Sequence, residues 1–240
     1  MDKVLIFIGA RGGSKGVKDK NILPLGAHPL IAYTIAVAKR SRLGPAIVST
    51  DSEVIGEIAR RYGALVPFLR PSHLATDDAP KMLAIRHAVQ FMEEEVKEKF
   101  DYVIDLQITS PIRDVEDVIG AFRMMKESTY DIVISATLSH ANPYFNMLEN
   151  KNGVWKKPCD REFYNRQEAP KVVRVNGSIY VYRRDVVFKV MSPLDRSLRI
   201  GVYEMPEEKS VDVDTPMDVE FLKFLVEKGV VKLPEVELEV

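Results

Sequence analysis

Val4-Leu5-Ile6-Phe7-Ile8, then Gly9, then Ala10-Arg11-Gly12-Gly13-Ser14-Lys15-Gly16, is the stretch that decides the fold. The short apolar run reads as a buried strand, and it ends in a glycine-rich, cationic loop. Such a loop suits a polyphosphate: glycines let backbone N–H groups approach phosphate oxygens, while Arg11 and Lys15 supply charge. Lys20-Asn21 follow at once, and a helix begins near Pro29. The loop therefore lies beyond a strand's carboxyl end, where open α/β sheets hold small molecules. Two better-known phosphate loops do not fit. The P-loop needs G-x-x-x-x-G-K-[ST], but Lys15 sits between Ser14 and Gly16. The dinucleotide fingerprint needs a glycine where Arg11 stands. The bland alternative is a flexible basic surface loop.

Working outward, the chain alternates strand and helix. Ala46–Ser49 reads as a strand, Leu30–Lys39 as a helix, and Ser52–Arg61 as a helix capped by Asp51 or Ser52. Ala64–Phe68 reads as a short strand, Pro80–Lys97 as a long helix and Tyr102–Leu106 as a strand. Val115–Lys126 is a helix beginning after Asp114, and Ile132–Ala136 a strand. This rhythm predicts an α/β fold, a mainly parallel sheet with helices on both faces. Between about 138 and 175 turn signals interrupt it, at Asn142-Pro143, Asn150-Lys151-Asn152-Gly153 and Lys156-Lys157-Pro158. That stretch reads as an inserted β-rich arm. Strands return at Ser178–Tyr182 and Ile200–Glu204, and a helix over Thr215–Glu227 closes the fold.

At 240 residues a single domain, 1–240, with the arm as an appendage is expected. The formal charge of −1 argues against a nucleic-acid partner, which needs a basic excess. Cys159 is the only cysteine, so neither an intrachain disulfide nor a cysteine-rich metal site is expected. The first apolar run is too short for a signal peptide, and no segment approaches a membrane span. A soluble cytoplasmic protein is the expectation.

Four clusters bear on chemistry. Gln107, in Leu106-Gln107-Ile108-Thr109-Ser110-Pro111-Ile112-Arg113 at the end of a predicted strand, both donates and accepts, which suits a sugar hydroxyl or an amide; Thr109 and Ser110 are equally suited to turn and cap. Arg166-Gln167, Arg174 and Asn176-Gly177 offer two guanidinium forks for a carboxylate or pyrophosphate, or else solvated arm residues. In Val211-Asp212-Val213-Asp214-Thr215, alternation sends both carboxylates to one face. Mg²⁺ is the economical neutraliser there, unless Asp214 simply caps the next helix. Arg70, His73, Asp77 and Asp78 form a polar loop that reads a base or merely connects elements. The four histidines show no zinc-like spacing. With no activated nucleophile evident, direct transfer by positioning and a metal is the simpler chemistry.

Arg11-Gly12-Gly13-Ser14-Lys15-Gly16 with Lys20-Asn21, Ser49-Thr50-Asp51, Gln107-x-Thr109-Ser110-Pro111, Arg166-Gln167, Asn176-Gly177-Ser178-x-Tyr180 and Ser210-Val211-Asp212-Val213-Asp214 occur in this order. Together they resemble the N-acylneuraminate cytidylyltransferases, over about residues 3 to 226. The resemblance implies a nucleotide-diphospho-sugar transferase-like sheet whose arm makes a homodimer. It implies CTP plus a nine-carbon 2-keto sugar acid giving CMP-sugar and pyrophosphate, with Mg²⁺ or Mn²⁺. By this carry-over Arg11, Gly12, Gly13, Ser14, Lys15, Lys20, Asn21 and Arg70 hold the nucleotide. Gln107 contacts the sugar, Arg166 matches the family's catalytic arginine, and Asp212 and Asp214 hold the metal; the residues themselves add Arg166, Arg174 and Asn176 as a polar set for the sugar carboxylate or reacting phosphate and Lys15 as a catalytic charge. Gly9 and Ile108 stand where many relatives carry proline. Phe145 falls where some sialic acid enzymes place a lysine, which leaves legionaminic acid and related nonulosonates open. A Kdo-type cytidylyltransferase is the nearest rival, yet its loop continues Ser-x-Arg-Leu-Pro where this one runs Ser14-Lys15-Gly16-Val17. A dinucleotide oxidoreductase and a non-catalytic nucleotide-binding regulator are the others; the aspartate pair argues against the last.

Overall fold

The computed structural model describes residues 2–13 and 16–238. Its strands are β1 (Val4–Gly9), β2 (Pro24–Leu25), β3 (His28–Pro29), β4 (Ala46–Ser49), β5 (Tyr102–Leu106), β6 (Ile132–Leu138), β7 (Glu149–Lys151), β8 (Val154–Lys156), β9 (Val173–Arg183) and β10 (Ile200–Glu204). Its α-helices are α1 (Leu30–Ser41), α2 (Glu53–Arg61), α3 (Lys81–Val96), α4 (Val115–Lys126), α5 (Arg184–Lys189) and α6 (Pro216–Glu227).

Six strands form the main sheet in the order β10-β6-β9-β5-β1-β4. β1 pairs in parallel with β4 and β5, and β6 with β10. β9 alone runs against its two neighbours, β5 and β6. β1 shows why apolar runs make such a sheet. Alternation sends Leu5 and Phe7 to the face covered by α3 and α5, and Val4, Ile6 and Ile8 to the face covered by α1, α4 and α6. All five are buried, so every position gains from leaving water, roughly 1.5–3 kcal/mol for each large apolar side chain. α3 matches its side of the sheet with Met82, Ile85, Ala88, Val89 and Met92 on one buried stripe.

Three sequence expectations change. Residues 64–68 form no strand; two isolated bridges, Ile47 to Leu65 and Thr50 to Leu69, run beside β4. Leu65 and Leu69 are 50% and 44% exposed, so the outermost position has little core to gain. α5 was not expected; six residues are too few to show a helical period. The arm is also less β-rich than its turn signals suggest. Two three-residue strands, β7 and β8, make a hairpin, and the rest of 139–172 is turns and irregular chain. Among the described residues no helix is long and apolar enough to cross a membrane.

Candidate active site

The carboxyl ends of β1 and β5 open on a cleft of about 450 Å³. Arg11, Gly16, Lys20 and Asn21 of the glycine-rich segment line it, as do Arg70, Gln107, Thr109 and Asp214. A second hollow, of about 660 Å³, adjoins it and is lined by Arg174, Glu207, Asp212 and Asp218 among others. Asp214 belongs to both walls.

The loop is shaped by the protein's own hydrogen bonds. The Gly12 N–H donates to Asp51 Oδ1 at 2.8 Å, so this backbone donor, expected to meet phosphate, is already engaged. Buried Asn21 donates from Nδ2 to the Arg11 carbonyl at 2.8 Å and holds the loop rather than presenting its amide. Gly13 takes φ +63°, a turn conformation open to glycine. Arg11 Nη1 lies 2.7 Å from Asp77 Oδ1, and Lys20 Nζ 2.8 Å from Asp214 Oδ1. Ser14 and Lys15 lie outside the described residues. Arg70 is 8% exposed, and its Nε and Nη2 donate to Ser49 Oγ and Ser49 O at 3.0 and 2.5 Å. Burial pulls its basicity down, partly offset by the Asp51 charge. It braces the floor under the nucleotide side and covers Gly9.

The aspartate segment is the other half. Thr215, not Asp214, caps α6: its hydroxyl accepts from the Asp218 N–H, and Asp218 returns a bond to the Thr215 N–H at 2.7 Å. The helix-cap explanation for Asp214 therefore fails, and its carboxylate is turned to Lys20. Asp212 is held by the Thr109 hydroxyl, and the Val213 N–H donates to Thr109 O at 2.8 Å. Burial, then the neighbouring Asp214 charge, raises the Asp212 carboxyl above its usual range. Its Oδ1 is buried with no hydrogen-bond partner. Two glycines let backbone approach this segment. A Cβ on Gly16 would collide with the Asp214 carbonyl, and one on Gly177, at φ +68°, would touch Asp212 Oδ2 at 3.4 Å. An orphaned carboxylate oxygen beside a second carboxylate fits a hard divalent cation. Mg²⁺ takes one or two protein carboxylates and completes its shell with water and phosphate, so a cage of three or more acidic or histidine ligands, absent among the described residues, is not required.

Asn176 does not belong to a sugar site. It is 1% exposed; its Oδ1 accepts from Ser135 Oγ at 2.7 Å and the Ser178 N–H at 3.2 Å, while Nδ2 donates to Ser210 Oγ at 3.0 Å and Met205 Sδ at 3.5 Å. Every donor and acceptor of the amide is spent. It stitches β9 to β6 where their register breaks between Ile134 and Ala136, the bend that brings Gly177 to Asp212. Arg174 lines the second hollow, but Arg166 lines neither; it donates to His140 O at 3.3 Å out on the arm. His140 in turn bonds Glu207 Oε2 at 3.1 Å, so Arg166 is tied within its own chain to the rim of the hollow that Arg174 lines.

Sequence reasoning passed over Lys81 and Asp105, and it included Arg113 in the Gln107 cluster without giving it a role. Arg113 is buried, its guanidinium donating to the carbonyls of Gln107 and Ser110, and burial pulls its pKa down to about 9. It shapes the Gln107–Pro111 turn from beneath. Its signal was an arginine following Pro111-Ile112, where an apolar residue would be ordinary.

A cytidylyltransferase family profile matches residues 5–233. This chain belongs to the cytidylyltransferase family. It is 40% identical to a post-translational flagellin modification protein B of Campylobacter coli, over 95% of this chain and 97% of that one. It is 38% identical to a CMP-N,N'-diacetyllegionaminic acid synthase of Campylobacter jejuni, over 94% and 96%. A solved CMP:2-keto-3-deoxy-manno-octonic acid synthetase, complexed with CTP, shares the fold with a TM-score of 0.69 at 20% identity, covering 95% of this chain and all of that one. The family resemblance and the α/β sheet read from the sequence are borne out, and the protein is a nucleotidyltransferase. The Kdo-type rival is matched here in fold alone.

Proposed function

We propose that this cytidylyltransferase activates a nine-carbon 2-keto sugar acid of the legionaminic type, giving a CMP-sugar and pyrophosphate from CTP. One observation carries the reading: the two hollows share the Asp214 wall, so a nucleotide in one and a sugar acid in the other meet at the Asp212–Asp214 segment. The named acid is supported by the 38% identical legionaminic acid synthase and by Phe145, an apolar residue where a lysine would favour a more polar sugar.

Arg11 and Lys20 receive the triphosphate, with Lys15 beside them in sequence. Asp212 and Asp214 would hold Mg²⁺ or Mn²⁺, which supplies charge neutralisation to phosphate oxygens when bound. The anomeric hydroxyl oxygen of the sugar bonds to the α-phosphorus of CTP. The bond from that phosphorus to the β-phosphate oxygen breaks, pyrophosphate leaves with the electron pair, and the hydroxyl proton is released. Cations set around the phosphates before reaction stabilise the added negative charge without reorganising.

The second hollow holds Arg174 but also Glu207, Glu208, Asp212, Asp214 and Asp218. An anionic sugar needs more positive charge than one chain places there. The arm carries Arg166 and exposes Met147, Leu148, Val154, Trp155 and Tyr164, the last two at 63% and 87%. Apolar surface of that kind is covered by a partner. The protein works as a cytoplasmic homodimer in which the arm brings Arg166 to the neighbour's sugar. The test is pyrophosphate release with CTP, UTP, ATP and GTP against N,N'-diacetyllegionaminate, N-acetylneuraminate and Kdo, with and without EDTA. CTP with legionaminate should lead, and EDTA should abolish turnover. Full activity in EDTA, a purine preference, or Kdo as the best acceptor would each overturn the corresponding part.

A further inference from the structure

Among the described residues the cations lining the cleft are Arg11, Lys20, Arg70 and Lys81, and each already faces an acceptor. Lys81 Nζ stands 2.6 Å from Oδ2 of Asp105, which is 1% exposed in the middle of the sheet. Arg70 is tied to Ser49 at the end of β4. Lys20 meets Asp214, whose own N–H donates to Asp218 Oδ2 at 3.0 Å beside the α6 cap. Those acceptors belong to strands or to a capped segment and cannot withdraw without disturbing the fold. The pair between Arg11 and Asp77 is different. Its two side chains are 35% and 36% exposed, and Asp77 lies on the connection that leads into α3. No residue of 71–80 is buried. Among the described residues the backbone–backbone bonds of this connection are local turns: Leu74 N–H to Pro71 O, Ala75 N–H to Ser72 O and Ala79 N–H to Thr76 O. A carboxylate held on such a segment by a partly exposed ion pair is weakly retained.

Charge explains why an acid sits there at all. Arg11 lies close enough to Arg70 for the two like charges to repel, and the Asp51 carboxylate that eases Arg70 already takes the Gly12 N–H. An anion is therefore wanted beside Arg11 before any ligand arrives. We infer that Asp77 is a displaceable stand-in for phosphate: it keeps the Arg11 guanidinium aimed into the cleft while the site is empty, yields it to the incoming triphosphate, and takes it back as pyrophosphate leaves. An internal anion competes with every phosphate ligand for one guanidinium. It lowers their apparent affinity by the fraction of time that the pair stands open. The same competition shortens the stay of pyrophosphate, whose departure frees the cleft for the next turnover. Asp77 acts through Arg11 and is a positioning residue. The inference rests on Arg11 receiving the triphosphate.

Calorimetric titration of the whole protein with inorganic pyrophosphate and with cytidine, in Mg²⁺ buffer, tests it. Asp77→Asn and Asp77→Ala should each bind pyrophosphate about three- to fivefold more tightly than the wild type, and release it more slowly in stopped flow. Asp77→Glu should return both readings toward the wild type. Cytidine, which brings no phosphate, should bind every variant alike. A structural role would not tighten binding, since misplacing the connection spoils the cleft wall. On an Arg11→Met background, Asp77→Asn should have no effect. Pyrophosphate binding no tighter in the Asp77 variants, an equal change for cytidine, or a tightening that persists without Arg11 would overturn the inference and leave the CTP reading standing. An Arg11→Met chain that binds pyrophosphate as well as the wild type would overturn it together with the placing of the triphosphate at Arg11.

Discussion

The cleft and the arm are built on opposite terms. Around the cleft the polar groups are largely engaged: Gly12 with Asp51, Asn21 with Arg11, Arg70 with Ser49, Asn176 with four partners. Among the oxygens left over is Asp212 Oδ1, on the segment that also carries Asp214. The arm, by contrast, has one short hairpin of two three-residue strands and several exposed apolar side chains. A site that must stabilise charge needs preorganised dipoles, and these come from a packed sheet. A surface that must meet another molecule leaves its contacts unmade. The difference teaches that cleft residues should act within their own chain and arm residues beyond it.

The sharpest test is on the cleft side. Asp212→Asn and Asp214→Asn should each lower kcat at least about a hundredfold, roughly 2.7 kcal/mol of transition-state stabilisation, while the folded state survives. Metal-free stability gives a second reading. Because Asp212 has a raised carboxyl pKa in the folded state, its ionised form opposes folding, and that penalty fades as pH falls through the raised value. Asp212→Asn should therefore melt at or above the wild type in EDTA at pH 7, the gap closing toward pH 4. Near-normal turnover, or simple unfolding, would make the pair structural.

Arg166 tests the other side of the comparison. Arg166→Lys keeps the charge but loses the planar fork, and kcat should drop about tenfold or more with CTP binding unchanged. If the arm serves the neighbour, mixing Arg166→Ala with Asp212→Asn chains and allowing exchange should restore about a quarter of wild-type activity, since half the dimers then carry one intact site. No recovery on mixing, or a monomer with full activity in light scattering, would return Arg166 to its own chain.

The core of the fold was legible because its signals are local. β4 and β5 and the span of α4 follow from apolar runs and capping residues, whereas the sequence offered Asp214 as the cap of α6 and the structure uses Thr215. Direction was not legible: β9 reads as any strand, and only its pairing between β5 and β6 makes it antiparallel. At the site, charge at the loop and the aspartate alternation were visible, whereas Asn176 looks like a ligand residue until its four partners are placed. Lys81 and Asp105 are 24 positions apart, and nothing in either neighbourhood announces the pair.

The smallest effect expected is on sugar choice. Phe145, 36% exposed on the arm, should set a preference of a few fold, and Phe145→Lys should move kcat/KM toward N-acetylneuraminate and away from legionaminate. Unchanged ratios would take the arm out of specificity and leave it only an assembly role.

The arm leaves and re-enters the sheet at one point. Leu138 faces Val173 in the β6–β9 ladder, and the Ser139 N–H donates to Val172 O at 3.0 Å. Whatever is inserted between those residues starts and finishes on the same rung, so its length and content place no strain on the rest. The excursion is an exchangeable cassette. A tight Asn-Gly hairpin in place of residues 140–171 should give a minimal nucleotide-binding core. Transplanting a relative's excursion onto the same rung offers a way to graft a different acceptor preference, and a different self-association, onto an unaltered chemical centre.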